Sequence, residues 1–237
     1  MSSQHVVIVG GSSGIGLATA RQLLGAGLNV TIAGRNAQRL DEALRSVPQA
    51  KGIVMDAAKT ETLNEIFSGL GMFDHLVLAF GSGKGLGPFA SVSLGEVRQS
   101  FEEKVFPQFA VAQAALPSLS THGSITFISS VSAHAAMPRT AGISAANAAV
   151  ATLVPILAVE LLPLRVNGVS PGVIDTPWWD FLPAEQRQTV FAEYAAKTPV
   201  GRVGTPDDVA KAVTFLITDD FMSGHVLLCD GGLRWAS

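Results

Sequence analysis

Short apolar runs rich in β-branched residues alternate along the whole chain with longer stretches whose apolar positions recur every three to four residues. Seven runs read as strands: His5–Val9, Asn29–Ala33, Gly52–Val54, His75–Ala79, Ser124–Ser129, Arg165–Val169 and His225–Cys229. Helical spacing fills the stretches between them, among these Gly14–Leu24, Ala37–Ser46, Leu94–Leu116 and Ala141–Leu162. The run Val6-Val7-Ile8-Val9 has no polar alternation. A strand apolar on both faces belongs in a parallel sheet covered by helices on each side. Strand–helix alternation of this kind predicts an α/β fold, a doubly wound seven-stranded parallel sheet, with residues 1–237 forming a single domain. One segment leaves the rhythm: Thr176–Pro199 carries Trp178, Trp179, Phe181, Phe191 and Tyr194. It reads as a lid over a pocket, with a packed surface helix as the alternative.

Composition narrows the function classes. The chain has 237 residues, 48% hydrophobic and 15% charged, enough for one well-buried domain. Sixteen basic and nineteen acidic side chains leave a net charge of −3, which lacks the electrostatic footprint of a nucleic-acid binder. The lone Cys229 excludes an intrachain disulfide and suggests a reduced, cytoplasmic setting. The start, Met1-Ser2-Ser3-Gln4-His5, shows no basic-then-apolar leader. The longest apolar stretch, Ala148–Val159, is interrupted by Thr152 and Pro155 and stops at Glu160, which is too short for a bilayer; no membrane partner is expected. His5, His75, His122, His134 and His225 are scattered, so no metal site is expected.

The clearest chemistry follows the first strand. Gly10-Gly11-Ser12-Ser13-Gly14-Ile15-Gly16 leads directly into a helix. In such a turn Gly10 permits the sharp exit from the strand, Gly14 lets backbone approach a pyrophosphate, and Gly16 lets the helix pack close to the sheet. The helix N-terminus offers free N–H groups and the positive end of its dipole to an anion. Ser12 and Ser13 add hydroxyl donors. About twenty residues on, at the end of the second strand, stands Gly34-Arg35-Asn36. An acidic side chain there would accept from both ribose hydroxyls and repel a 2′-phosphate, whereas Arg35 offers a fork of donors to one. The expected cofactor is therefore NADP(H), with a solvated arginine at a strand end as the bland alternative.

With that spacing, Gly-x-x-x-Gly-Ile-Gly resembles the short-chain dehydrogenase/reductase family, and further segments match it in order. Asp56 follows the third strand where the family uses an acidic residue near the adenine. Ser129-Ser130 end the strand that carries the family's catalytic serine. Arg165-Val-Asn-Gly-Val-Ser-Pro171-Gly172-Val-Ile174-Asp-Thr176 is similar to its nicotinamide-side loop, and Asp230-Gly-Gly232 to its closing segment. The resemblance covers essentially the whole chain and implies a Rossmann-type fold. It adds Asp56, Ala57, Gly81, Pro171, Gly172, Ile174 and Thr176 to the cofactor-binding set of Gly10, Ser12, Ser13, Gly14, Ile15, Gly16, Arg35 and Asn36. It also implies a homo-oligomer, dimer or tetramer, through the two long helices, and a small-molecule substrate.

The family's reaction uses a Tyr-x-x-x-Lys pair on one helix face together with the serine. Counted from Ser130, the tyrosine position falls on Ile143 and the lysine position on Asn147. The only tyrosine is Tyr194, with Thr198 four residues on, so the motif occurs nowhere. Leu78-Ala-Phe80-Gly81 replaces the usual Asn-Asn-Ala-Gly, and Phe80 is expected to narrow the cofactor cleft. Aligned on Gln113–Pro117, the family's helix asparagine falls on Lys104. A lysine thus stands where an asparagine is usual, and Asn147 where a lysine is usual. The expectation is that Lys104 projects into the vacated space, binding the nicotinamide ribose and supplying a proton, while Ser130 orients the substrate oxygen. The alternative is a solvated lysine in Glu102-Glu103-Lys104. His134 and Tyr194 are further proton donors without a ranking argument. Three readings follow: an NADPH-dependent oxidoreductase reducing a carbonyl or activated double bond of a small, apolar substrate; a catalytically silent NADP(H)-binding sensor or structural protein; and a non-redox dehydratase or isomerase.

Overall fold

The run without polar alternation, Val6–Val9, lies inside the sheet with a neighbour on each side. In the computed structural model, which describes residues 4–236, it forms β1 (His5–Val9) between β2 (Asn29–Gly34) and β4 (Phe73–Leu78). β3 (Lys51–Val54), β5 (Leu119–Ile128), β6 (Arg165–Pro171) and β7 (Val226–Cys229) complete seven parallel strands in the order β3-β2-β1-β4-β5-β6-β7. This is the expected Rossmann-type architecture. Met1–Ser3, on which the expectation about the start of the chain partly rests, and Ser237 lie outside the described residues.

Side chains of β1 alternate between two cores. Val7 and Val9 pack with Leu76, Leu78 and Phe127 beneath α3 (Thr60–Leu70), α5 (Phe106–Ala115) and α6 (Ala141–Glu160). Val6 and Ile8 pack with Val30, Ile32 and Val77 beneath α1 (Gly14–Gly25), α2 (Ala37–Ser46) and α8 (Pro206–Thr218). Both faces of β1 are therefore dry, which explains its unbroken apolar run. The order reverses between β1 and β4, and such a reversal opens a crevice at the carboxyl ends of the strands.

Three boundaries correct the sequence reading. The expected single helix Leu94–Leu116 is α4 (Leu94–Ser100), a π-helical turn at Phe101–Val105, and α5. Pro107 has no amide hydrogen to give to the carbonyl four residues back, and Phe106 instead donates to Phe101 five residues back. β5 begins at Leu119 rather than Ser124, because Gly123 passes so close to the Asp74 carbonyl that no side chain fits. The apolar stretch judged too short for a bilayer belongs to the twenty-residue α6, which by length and hydropathy alone would suffice to cross one. Its stripe Ala146, Val150, Val154 and Ala158, spaced by four, lies in the core.

Helix ends are closed by polar contacts. Thr205 and Asp208 form a capping box at the start of α8, and Arg165 donates to the carbonyls of Leu216 (2.8 Å) and Ile217 (3.1 Å) at its end. A buried histidine crosses the sheet at β4–β5: His75, 1% exposed, shares a hydrogen with Ser124 Oγ at 2.9 Å. Its other ring nitrogen has no hydrogen-bond partner among the described residues. Burial, reinforced by the Arg165 charge, lowers its pKa to about 4. The folded protein thus resists a proton that the unfolded chain accepts near pH 6.5, so stability is lost as pH falls through that window and levels off below pH 4. Urea unfolding at pH 7 and pH 4 should show a histidine-dependent loss of about 3 kcal/mol. That part of the pH dependence should be absent in His75→Gln.

Candidate active site

A cleft of about 1070 Å³ occupies the crevice at the strand ends. The glycine turn builds its floor. Gly10 (φ +84°) and Gly14 (φ +51°) adopt backbone that side-chain-bearing residues rarely hold, and the amides of Gly10 and Gly11 both donate to Ala33 at 2.9 and 3.1 Å. Gly16 corrects the sequence reading: a Cβ there would run into the Gly10 carbonyl, so it is the turn itself, rather than helix-to-sheet packing, that requires glycine. Gly16 also stands apart from the other expected cofactor residues, for it is buried and does not line the cleft; Gly10, Ser12, Ser13, Gly14 and Ile15 all do. Ser13 precedes α1 without a side-chain cap bond, and Ser13, Gly14 and Ile15 line the cleft where the helix begins, with its first amides unpaired within the helix.

Arg35, Asn36, Asp56 and Ala57, expected on the adenosine side, line the cleft. Asn36 accepts from the Arg39 amide at 2.9 Å as the N-cap of α2, and Asp56 accepts from the Ala58 amide at 3.1 Å, so both oxygens shape the backbone. Arg39, which the sequence reading missed, joins Arg35 in the lining. Its signal was available: it lies in the first turn of the helix that opens after Arg35-Asn36.

Toward the other end lie Gly81, Lys104, Ser130, Ile143, Asn147, Pro171, Gly172, Ile174 and Thr176. Lys104 is 7% exposed, while Glu102 and Glu103 beside it are exposed. The solvated-lysine alternative is thereby overturned. The π turn carries the side chain inward, where Nζ donates to the Ser129 carbonyl at 3.3 Å. It rests on Gly81, where an added Cβ would lie 3.1 Å from Nζ. Desolvation lowers its pKa to about 8. Asn147, 2% exposed, donates through Nδ2 to Ile143 O (2.9 Å) and Ser132 Oγ (3.2 Å); its Oδ1 is buried without a hydrogen-bond partner among the described residues. Ser129, not Ser130, reaches the same helix, donating to Asn147 O at 2.8 Å. Ser130 starts the short turn Val131–Ala133, its Oγ accepting from the Ser132 amide at 3.4 Å. Ile143 presents an alkyl surface. Gln108 Nε2 holds the Phe80 carbonyl at 2.7 Å, and Phe80 lines the cleft as expected.

Neither further donor sits at this centre. His134 pairs through Nε2 with Ser170 Oγ at 3.1 Å and is absent from the cleft lining. Tyr194 lines the outer wall, its pKa raised by burial and by Glu193. The Thr176–Pro199 segment contains a 3-10 turn, Pro177–Phe181, and α7 (Ala184–Lys197), none of whose residues is buried. Trp178 packs edge-on to Trp179 (4.8 Å) and Phe181 (5.3 Å), and its ring lies 3.3 Å from where Gly83 would carry a Cβ. Opposite it, Gly85 O accepts from Ile143 N at 3.2 Å, and a Cβ on Gly142 would come within 2.8 Å of that carbonyl.

This arrangement suits a dinucleotide. Helix amides and a side-chain-free turn would suit a pyrophosphate, Arg35 and Arg39 line the same cleft, and so do Asn147, whose oxygen has no partner among the described residues, and the buried Lys104. The chain matches the family described as enoyl-(acyl carrier protein) reductase over residues 9–234. It is 31% identical to a short-chain dehydrogenase/reductase of Stachybotrys chlorohalonatus, covering 97% of this chain and 96% of that protein. It is 32% identical to cis-4-hydroxycyclohexanecarboxylate dehydrogenase of Sinomonas cyclohexanicum, covering 95% and 94%. A small-chain dehydrogenase crystallised in complex with NADPH superimposes with a TM-score of 0.88 at 29% identity, covering 99% of this chain and 100% of that one. Sequence and superposition agree along the whole length, and the chain belongs to the short-chain dehydrogenase/reductase family.

Proposed function

We propose that the protein is an NADPH-dependent oxidoreductase in which Lys104 takes over proton delivery, reducing a carbonyl or activated double bond of a small, largely apolar substrate. The observation that carries this reading is the Lys104 ammonium, buried in the cleft with one hydrogen bond, to the Ser129 carbonyl. When bound, NADPH supplies the hydride. Arg35 and Arg39 would bind its 2′-phosphate, and Asn147 Oδ1, unpartnered among the described residues, would accept from a ribose hydroxyl. The Ser130 hydroxyl donates to the substrate oxygen, and Lys104 provides the proton that oxygen or carbon gains. An acid with a pKa near the working pH balances availability against driving force, and about 8 meets that condition. Ile143 supplies only contact, so orientation by the walls carries more of the rate than in a site with a phenol. Two neighbouring facts support the substrate class: the cleft walls hold Trp178, Phe181 and Leu86, and one relative is named for a hydroxylated six-membered ring bearing a carboxylate. Exposed Phe106 and Phe109 on α5 with Ile156 and Val159 on α6 support a homo-oligomer.

The silent-binder reading keeps one observation on its side, the alkyl Ile143 at a reactive position. The two separate on NADPH absorbance with a panel of ketones, quinones and enones. Turnover is expected, and Lys104→Met should lower kcat by about 10²-fold or more. Tight NADPH binding with no oxidation across the panel would favour the sensor instead.

The same lysine links rate to pH and to stability. Its ammonium is lost above pH 8, so kcat should fall on the alkaline side with one ionisation, and the profile should flatten in Lys104→Met. Below pH 8 the native state holds a desolvated charge that the unfolded chain hydrates. Removing it should raise stability at pH 7 by up to about 3 kcal/mol, read as a higher urea midpoint in the less active variant.

A further inference from the structure

One residue of the cleft wall holds a backbone conformation it has no local reason to adopt. Arg139 has φ +70° and is the only non-glycine residue among those described in the left-handed region. For a side chain of this size that is uncommon, and glycine would adopt it without strain. The loop around it is fixed. Its carbonyl accepts from the Gly87 amide at 2.8 Å, Thr140 Oγ1 donates to Met137 O at 2.7 Å, and the Ser144 amide donates to Thr140 O at 2.8 Å. Arg139 lies between Ser130 and Ile143 in sequence and lines the cleft with both. The three ion pairs among the described residues involve Arg187, Arg202 and Arg234, so this guanidinium has no carboxylate within salt-bridge distance.

We propose that Arg139 anchors an anionic substituent of the substrate and makes the cleft selective for small organic acids, carboxylates or sulfonates, that carry the reducible group at their other end. The proposal rests on the reductase reading above and specifies its substrate class. The chemistry is that of a planar fork of donors, always charged, meeting an oxyanion. Arg139 is exposed, so an incoming oxyanion reaches it directly, and Met137, Pro138 and Phe181 line the same cleft beside it. Acidic groups in the lining do not neutralise the arginine. Of the four, Asp56 accepts from the Ala58 amide (3.1 Å), Glu103 accepts from Ser82 Oγ (2.7 Å) and Gln99 Nε2 (2.6 Å), Glu102 is exposed, and Glu193 on α7 stands beside Tyr194; none is ion-paired with Arg139. A locally strained residue held in a reactive cleft by a rigid loop is the pattern expected where position serves a ligand.

The test compares 4-formylbenzoate with its neutral methyl ester, which differ in the charge and not in the reacting aldehyde. Binding is read by tryptophan fluorescence, with and without NADP⁺, and turnover by NADPH absorbance. The wild-type protein should bind the acid at least about ten-fold more tightly than the ester. Arg139→Gln should abolish that preference by weakening the acid alone, and Arg139→Lys should restore part of it. Arg139→Gly, which suits the backbone, should lose the preference without a lower melting temperature, separating the charge from the loop. Equal binding of both probes, binding of neither, or an acid preference that survives Arg139→Gln would overturn the proposal. An acid preference lost in Arg139→Gln but unaccompanied by NADPH oxidation would leave the anion site standing and sink the reductase reading.

Discussion

Where β1 ends, the backbone of Gly10 lies against the Ala79 carbonyl with no room for a side chain between them, since an added Cβ would sit 2.5 Å from that oxygen. Ala79 in turn donates to Val9 at 2.8 Å. This contact between the ends of β1 and β4 sets the geometry of the cleft. It turns the chain into α1 with its first amides facing inward, and it places Gly81 where Lys104 can lie against it. The side-chain-free cradle and the reactive end are therefore two sides of one close backbone approach, built on the strand pair at which the sheet order reverses.

Burying an ammonium with one carbonyl for company is costly, and the fold accommodates it through local irregularity. Pro107 cannot close the regular helical ladder, the preceding turn widens to a π turn, and Lys104 is carried into the cleft while Glu102 and Glu103 remain in water. Sites that trade stability for reactivity commonly sit at such irregularities. Asn147 repeats the theme from the facing helix: its amide hydrogens are committed to Ile143 and Ser132, which leaves its buried oxygen without a hydrogen-bond partner among the described residues.

Much of this was legible in the residues. The unbroken apolar run of β1, the glycine turn and the strand–helix alternation carry the architecture, because a parallel sheet buried on both faces needs those patterns. The positions of Ile143, Asn147 and Lys104 came from the resemblance to the family, counted along the chain from Ser130 and from Gln113–Pro117. What spacing could not reveal was direction. An arginine or lysine in a charged stretch reads as solvated until the backbone shows which way it points, and the π turn that redirects Lys104 arises from a proline three residues downstream. Element boundaries differed for a related reason, since Pro107 cannot donate to the carbonyl four residues back and Gly123 lies against the Asp74 carbonyl of the neighbouring strand. Arg139 was invisible because nothing in Met137-Pro138-Arg139-Thr140 announces a left-handed backbone.

The wall formed by Gly83–Gly87 is joined to the start of α6 by the Gly85–Ile143 hydrogen bond and by the near-contact of Gly85 with Gly142. That side of the cleft is thus continuous with the helix whose far face lies in the core. The facing side, α7, contributes no buried residue and meets the wall through Trp178 at Gly83. The two sides of the rim are therefore held differently: the glycine side is tied to a core helix, and the aromatic side packs on it through exposed rings. A bulky side chain at Gly83 would prop that rim apart while leaving the nucleotide cradle untouched.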